Sequence, residues 1–215
     1  MSVPEILKPP NLVSLSRIAI IPLLWYFLSQ PGETAMLWAA LVMIAAGVSD
    51  GLDGWLARRM RMVSPLGIAL DPIADKIFAG ALVILLVFYR EFPVWLAGLI
   101  VGRDLLILVA GLLLVRDRDV SLPSNLTGKY AFAAITGLLG SYVIRFPFGI
   151  ELFTWLAIAL LLASIISYAR VFLRVRRGQP PPRFDDRVGF RRARVTITVI
   201  VVLIYFVMLY RHLVD

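Results

Sequence analysis

The chain has 215 residues, 60% of them hydrophobic, with a mean hydropathy of +0.86 and a formal net charge of +8. A soluble domain is about half apolar, so this composition points to one polytopic membrane domain. The absence of cysteine rules out disulfides and thiol chemistry, and the single histidine, His212 near the C-terminal end, removes histidine nucleophiles and most zinc sites.

A short proline-containing stretch to Pro10 leads into the first apolar run, Leu12 to Gln30, which contains Arg17. No small-x-small cleavage site follows it, so it reads as a transmembrane helix rather than a signal sequence. Further spans are expected at Thr34–Ala57, Ile68–Tyr89, Pro93–Val115, Lys129–Ile144, Ile150–Val175 and Val195–Tyr210. Each is near the ~20 residues a bilayer requires. With the N-terminus in the cytoplasm, 19 of the 22 basic residues fall at inner ends or loops, and only Arg90, Arg145 and Arg211 fall outside. The positive-inside rule favours that orientation and accounts for the net charge without nucleic acid. Glycines between Gly98 and Gly111 and between Gly137 and Gly140 are expected at close helix contacts.

The chemistry concentrates between Asp50 and Lys76. Asp50 and Asp53 stand at i,i+3 and Asp71 and Asp75 at i,i+4, so each pair shares a helix face. One acidic residue at mid-bilayer costs about 2.5–3.5 kcal/mol on insertion scales, and four together repel one another. Four oxygen donors without imidazole or thiolate suit hard divalent cations, and four acids suggest two. The spans place this cluster at the cytoplasmic ends of the second and third helices, within reach of a soluble nucleotide.

The spacing D-x2-D-G-x2-A-R-x8-G-x3-D-x3-D is met at all eight positions by Asp50, Asp53, Gly54, Ala57, Arg58, Gly67, Asp71 and Asp75. In this the chain resembles the CDP-alcohol phosphatidyltransferases. Pro10-Asn11-Leu12-Val13-Ser14-Leu15-Ser16-Arg17 is similar to that family's P-N-x-x-T-x-x-R opening, with serine in place of threonine. The resemblance implies an all-α integral membrane protein, a six-helix transmembrane bundle over residues 1–175. The basic 176–194 loop and an extra C-terminal transmembrane helix at 195–215 lie beyond the family plan.

It further implies metal-dependent transfer of a phosphatidyl group from CDP-diacylglycerol to an alcohol, releasing CMP. Two Mg²⁺ ions, replaceable by Mn²⁺, would be held by Asp50, Asp53, Asp71 and Asp75, with Asp75 also the general base. CDP-lipid contacts fall to Asn11, Ser14, Gly54, Ala57, Arg58, Ser64 and Gly67. The same residues have plainer uses: Asn11 as a helix N-cap, and Gly54 and Ala57 as packing positions. Arg103, Ser124 and Lys129 resemble acceptor-phosphate features of the branches making phosphatidylglycerophosphate and cardiolipin. An Arg103–Asp104 structural pair with a snorkelling Lys129 accounts for them equally.

Glycerol-3-phosphate is the first expected acceptor, then phosphatidylglycerol, then a polar alcohol such as inositol phosphate. The resemblance implies a homodimer among membrane lipids, placed in a bacterial inner membrane with its site toward the cytoplasm. A cation or proton transporter is the reading from another class, since intramembrane acids also mark ion pathways. Against it, the acids cluster at one leaflet and few ionisable groups continue a path.

Overall fold

The computed structural model describes residues 9–60, 65–118, 126–179 and 188–214. Among these the chain is all helical, with seven helices: α1 (Pro9–Ser29), α2 (Glu33–Met60), α3 (Pro65–Tyr89), α4 (Val94–Arg118), α5 (Leu126–Val143), α6 (Pro147–Arg176) and α7 (Val188–Val214). Each predicted apolar run is therefore a helix. Three of them are long and apolar enough to cross a bilayer by length and composition alone: Asn11–Ser29, Pro147–Arg176 and Arg191–Val214. Large side chains such as Trp25, Leu41, Ile84, Phe88, Val109, Phe132, Trp155 and Phe206 stand exposed along the helices. So much open apolar surface is a liability in water and the ordinary condition of a protein bathed in lipid.

The observed ends differ from the predicted ones for local reasons. Helix α6 starts at Pro147 rather than Ile150, because proline at the first helical position gives up no hydrogen bond. Helix α7 starts at Val188, so Arg191, Arg192 and Arg194 sit in its first turns and not in the loop. Arginine is a good helix former, and its long stem lets a charged head leave an apolar environment.

The short connections turn through left-handed residues: Gly32 after α1, Glu91 after α3 and Arg145 after α5. The end of α6 closes on Gly178 (φ 77°), with the Gln179 N–H bonded to the Arg174 carbonyl and the Gly178 N–H to the Val175 carbonyl. That satisfies two of the carbonyls a helix end leaves open.

The chain forms two compact units. In the first, Met1–Ala97 with Tyr142–Ile144, α1 packs against both α2 and α3. Ala39, Val42 and Ala46 make a buried stripe on α2, and Leu82, Val83 and Leu86 do so on α3. The small alanines let a neighbouring helix approach closely. At the far end of this unit Trp25 Nε1 donates to the Tyr89 hydroxyl (2.9 Å), and Arg90 Nη1 donates to the carbonyls of Leu28 (3.2 Å) and Tyr89 (2.9 Å). Exposed Trp25, Trp38 and Trp95 all lie near these helix ends, as aromatic side chains do at a membrane interface.

In the second unit, Gly98–Ser141 with Arg145–Asp215, α7 is held by an aromatic cluster. Tyr205 meets Phe146 and Phe153 edge-on at ring distances of 5.5 and 5.1 Å, and the His212 ring lies 5.1 Å from Phe146. Two glycines make room for it. A Cβ at Gly137 would come within 2.6 Å of the Phe153 ring, and one at Gly149 would strike Ser141 Oγ, Phe146 and Tyr205.

Gly98 and Gly102 differ from the packing role expected of them, since nothing lies within 4 Å of an added Cβ. Gly149→Ala should therefore destabilise the protein by about 1–3 kcal/mol through overpacking, while Gly102→Ala should not. Thermal unfolding of the two variants in detergent checks this; equal midpoints would refute the packing assignment.

Candidate active site

The helical backbone places all eight signature residues. Asp50, Asp53, Gly54, Ala57 and Arg58 ride on α2, and Gly67, Asp71 and Asp75 on α3. Asp50 lies about 26 Å along the axis from the start of α2 at Glu33, at 1.5 Å per residue. A hydrocarbon core is ~30 Å thick, so the acids fall toward the opposite end of the helix from the Glu33 turn. The side chains of Asp50, Asp53, Gly54, Ala57, Arg58, Gly67 and Asp71 lie outside the described residues, as do Ser64 and Ser124 altogether. Among the described side chains no group of three or more possible metal ligands occurs.

Helix α1 supplies the part of the site whose side chains are described. Asn11, Ser14 and Arg17, three residues apart in turn, are all buried, with 2%, 3% and 1% of their surface exposed. Burying three polar side chains on one helix is costly unless each is satisfied, and each takes part in polar or ionic contacts. Arg17 Nη1 is bonded to Oδ1 of Asp75, joining α1 to α3. The arginine side chain is 2% exposed and the aspartate 44%, so the pair is anchored from the protein side and open at the carboxylate.

Arg17 closes the P-N-x-x-T-x-x-R opening, but the sequence alone assigns it no role in the site. Its signal is an arginine inside an apolar span, which calls for a partner. Asn11 and Ser14, expected as CDP-lipid contacts, are brought onto the same buried stripe.

A divalent cation fits the chemistry of this donor set. The acids provide only oxygen, and Asp75 presents an accessible carboxylate already oriented by a fixed positive charge. Asp50, Asp53, Asp71 and Asp75 are the residues that would hold it.

In the second unit the acceptor candidate Arg103 is described together with its partners. Arg103 Nη1 bonds Asp104 Oδ1 at 2.6 Å, and its Nη2 donates to Ser164 Oγ at 2.9 Å. The Tyr168 ring lies 5.9 Å from the guanidinium carbon, and Gly128 leaves room beside it, since an added Cβ would sit 3.2 Å from Nη2. Arg103 is thus held in one orientation by Asp104 beside it and by Ser164 and Tyr168 of α6, with its side chain 12% exposed. Lys129 is exposed. Ser164 and Tyr168, at i,i+4 on α6, are not singled out by sequence reasoning; two polar residues one turn apart after the apolar Leu156–Ala163 run are the trace they leave.

The CDP-alcohol phosphatidyltransferase profile matches residues 7–163. A Streptomyces coelicolor protein named cardiolipin synthase (CMP-forming) is 36% identical over 130 residues, 59% of this chain and 60% of that protein. A probable cardiolipin synthase of Drosophila melanogaster is 38% identical over 131 residues, which cover 39% of its length. A Bacillus subtilis CDP-diacylglycerol–glycerol-3-phosphate 3-phosphatidyltransferase is 29% identical over 171 residues, 74% of this chain and 88% of that protein. The chain thus spans less than two thirds of the first two relatives and most of the third. On the profile match, which takes in α1 with its buried Asn11, Ser14 and Arg17 and the acidic helices α2 and α3, the chain belongs to the CDP-alcohol phosphatidyltransferase family.

Proposed function

We propose that the protein is a membrane-embedded phosphatidyltransferase that takes CDP-diacylglycerol and an alcohol, forms a phosphodiester and releases CMP. The observation that carries this is the complete eight-position acidic signature on α2 and α3, two helices packed on α1. In the reaction the acceptor hydroxyl attacks the phosphorus bearing the diacylglycerol, the bond from that phosphorus to CMP breaks, and the hydroxyl proton passes to Asp75. Such transfer asks a protein for positioning and charge neutralisation rather than covalent chemistry. Two Mg²⁺ ions, or Mn²⁺ in their place, would neutralise the diphosphate and stabilise departing CMP. Arg58 suits the diphosphate through its two-pronged fork, and Gly54 and Ala57 leave the backbone open to the nucleotide. Asn11, Ser14, Ser64 and Gly67 complete the CDP-lipid contacts.

The first-choice acceptor is glycerol-3-phosphate, which the near full-length likeness to the Bacillus protein supports. Phosphatidylglycerol is the second reading, favoured by the likeness to the Streptomyces protein. For a phosphorylated acceptor, Arg103, Ser124 and Lys129 supply the positive charge and the hydroxyl. α1 to α6 are assigned as the family's six-helix membrane domain and α7 as an added span. The acidic ends face the cytoplasm of a bacterial inner membrane, and the chain works as a homodimer.

Purified protein with Mg²⁺ and CDP-diacylglycerol is expected to release CMP when given glycerol-3-phosphate, with phosphatidylglycerophosphate as the lipid product. No CMP with either acceptor would refute the transferase reading and return weight to ion transport. Orientation has its own check. Single cysteines at Gln179 and Val214 should be labelled by an impermeant reagent from opposite sides, the native chain having none; labelling from one side would remove α7 as a span.

A further inference from the structure

We infer that Arg17 is a positioning residue that fixes the carboxylate of Asp75 from beneath, an inference that rests on the transferase reading of Asp75. Three observations carry it. Arg17 Nη1 is bonded to Asp75 Oδ1, so the guanidinium claims one oxygen of a group that has two. The arginine side chain is 2% exposed and the aspartate 44%, so Arg17 approaches from the packed side and the carboxylate is presented outward. Helix α1, which carries Arg17, packs on both helices that bear the acidic signature.

A rival role is a temporary counter-ion that occupies the acid until a cation arrives and then withdraws. Burial argues against it. A guanidinium this deep has no water to retreat into, and removing one partner of a buried pair is strongly unfavourable. The pair therefore persists when the site is loaded. Its work is geometric, because a base must hold its oxygen within hydrogen-bond reach of the proton it takes. An aspartate alone in a helix would sample several rotamers, and the bond to Arg17 selects one. The arrangement also sets one fixed positive charge against the Asp75 carboxylate without blocking its outward face.

The test uses full-length protein in detergent, Mn²⁺ alone as the binding probe read by electron paramagnetic resonance, and CMP release as the activity. Wild type binding Mn²⁺ and releasing CMP establishes the transferase reading; if it does neither, that reading falls and takes this inference with it. Given an active wild type, Arg17→Met is expected to weaken Mn²⁺ binding at least fivefold and lower kcat at least twentyfold, with KM for CDP-diacylglycerol within about threefold. Arg17→Lys keeps a single cationic donor and should recover Mn²⁺ affinity to within about threefold of wild type.

In an Asp75→Asn background, adding Arg17→Met should change Mn²⁺ affinity no further, because Arg17 acts through that carboxylate. The double variant also lacks both charges of the pair, so it is informative even if Arg17→Met alone folds poorly. Tighter Mn²⁺ binding by Arg17→Met would overturn the proposal in favour of a competing counter-ion. Equal weakening with and without Asp75 would overturn it in favour of general packing.

Discussion

Asp50→Asn, Asp53→Asn and Asp71→Asn are each expected to lower kcat/KM for CMP release by ~10³-fold or more, about 4 kcal/mol of transition-state stabilisation. The reason is that shared ligands act as one unit: a hard cation needs several oxygens, and an amide offers one neutral oxygen where a carboxylate offers two charged ones. Insertion and folding should survive, since removing a charge from an apolar helix lowers its cost in the membrane. Asp75→Asn should lose as much activity but behave differently in stability, because the native carboxylate is the ion partner of buried Arg17.

A fully buried pair broken on one side costs about 3–5 kcal/mol. Asp75 is 44% exposed and an amide oxygen still accepts a hydrogen bond, so about 1–2 kcal/mol is the expectation here. Turnover and thermal midpoint, measured on all four variants with Mg²⁺, separate the two effects. Near-native turnover in any of the first three would remove that residue from the ligand set. A midpoint for Asp75→Asn above those of the other three would remove the Arg17 bond from the account.

The helices and the acidic signature were legible in the sequence because both are written locally. Apolar runs of membrane length, interrupted by prolines and short polar turns, mark α1 to α6 to within a few residues. The carboxylate spacing lies within single helices. What was not legible depends on which helix meets which. Arg17 and Asp75 are far apart in the chain, and only the packing of α1 on α3 turns an arginine counted for orientation into a partner of the last acid.

The anchoring of Arg103 by Ser164, and the seat of Tyr205 between Phe146 and Phe153, are likewise contacts between distant residues. The start of α7 was placed late because three arginines in its first turns read as loop, although a helix tolerates them well when their stems can carry the charge outward. Glycine was ambiguous for the same reason: Gly137 and Gly102 look alike in sequence, and only the neighbouring Phe153 ring distinguishes them.

The acceptor is decided by a second set of substitutions. A small phosphorylated alcohol brings a dianion that needs fixed positive charge outside the nucleotide signature, and Arg103 and Lys129 are the candidates. Arg103 is held by Asp104 and Ser164 and flanked by Tyr168, so its guanidinium is already ordered and little entropy is lost when it binds an anion. Lysine at that position keeps the charge but cannot make the planar two-donor contact. Arg103→Lys and Lys129→Ala are therefore each expected to raise KM for glycerol-3-phosphate more than tenfold, at least about 1.4 kcal/mol, with KM for CDP-diacylglycerol nearly unchanged.

Ser164→Ala, which frees one guanidinium nitrogen without touching its charge, should produce a smaller rise of the same kind. If both substrates lose equally, the Arg103 cluster is structural, and the Arg103–Asp104 pair with a snorkelling Lys129 is the whole explanation. Should phosphatidylglycerol be used efficiently and glycerol-3-phosphate not at all, the same variants separate two recognition modes. A phosphodiester carries one negative charge where the phosphomonoester carries nearly two, so loss of a single cation should cost it less.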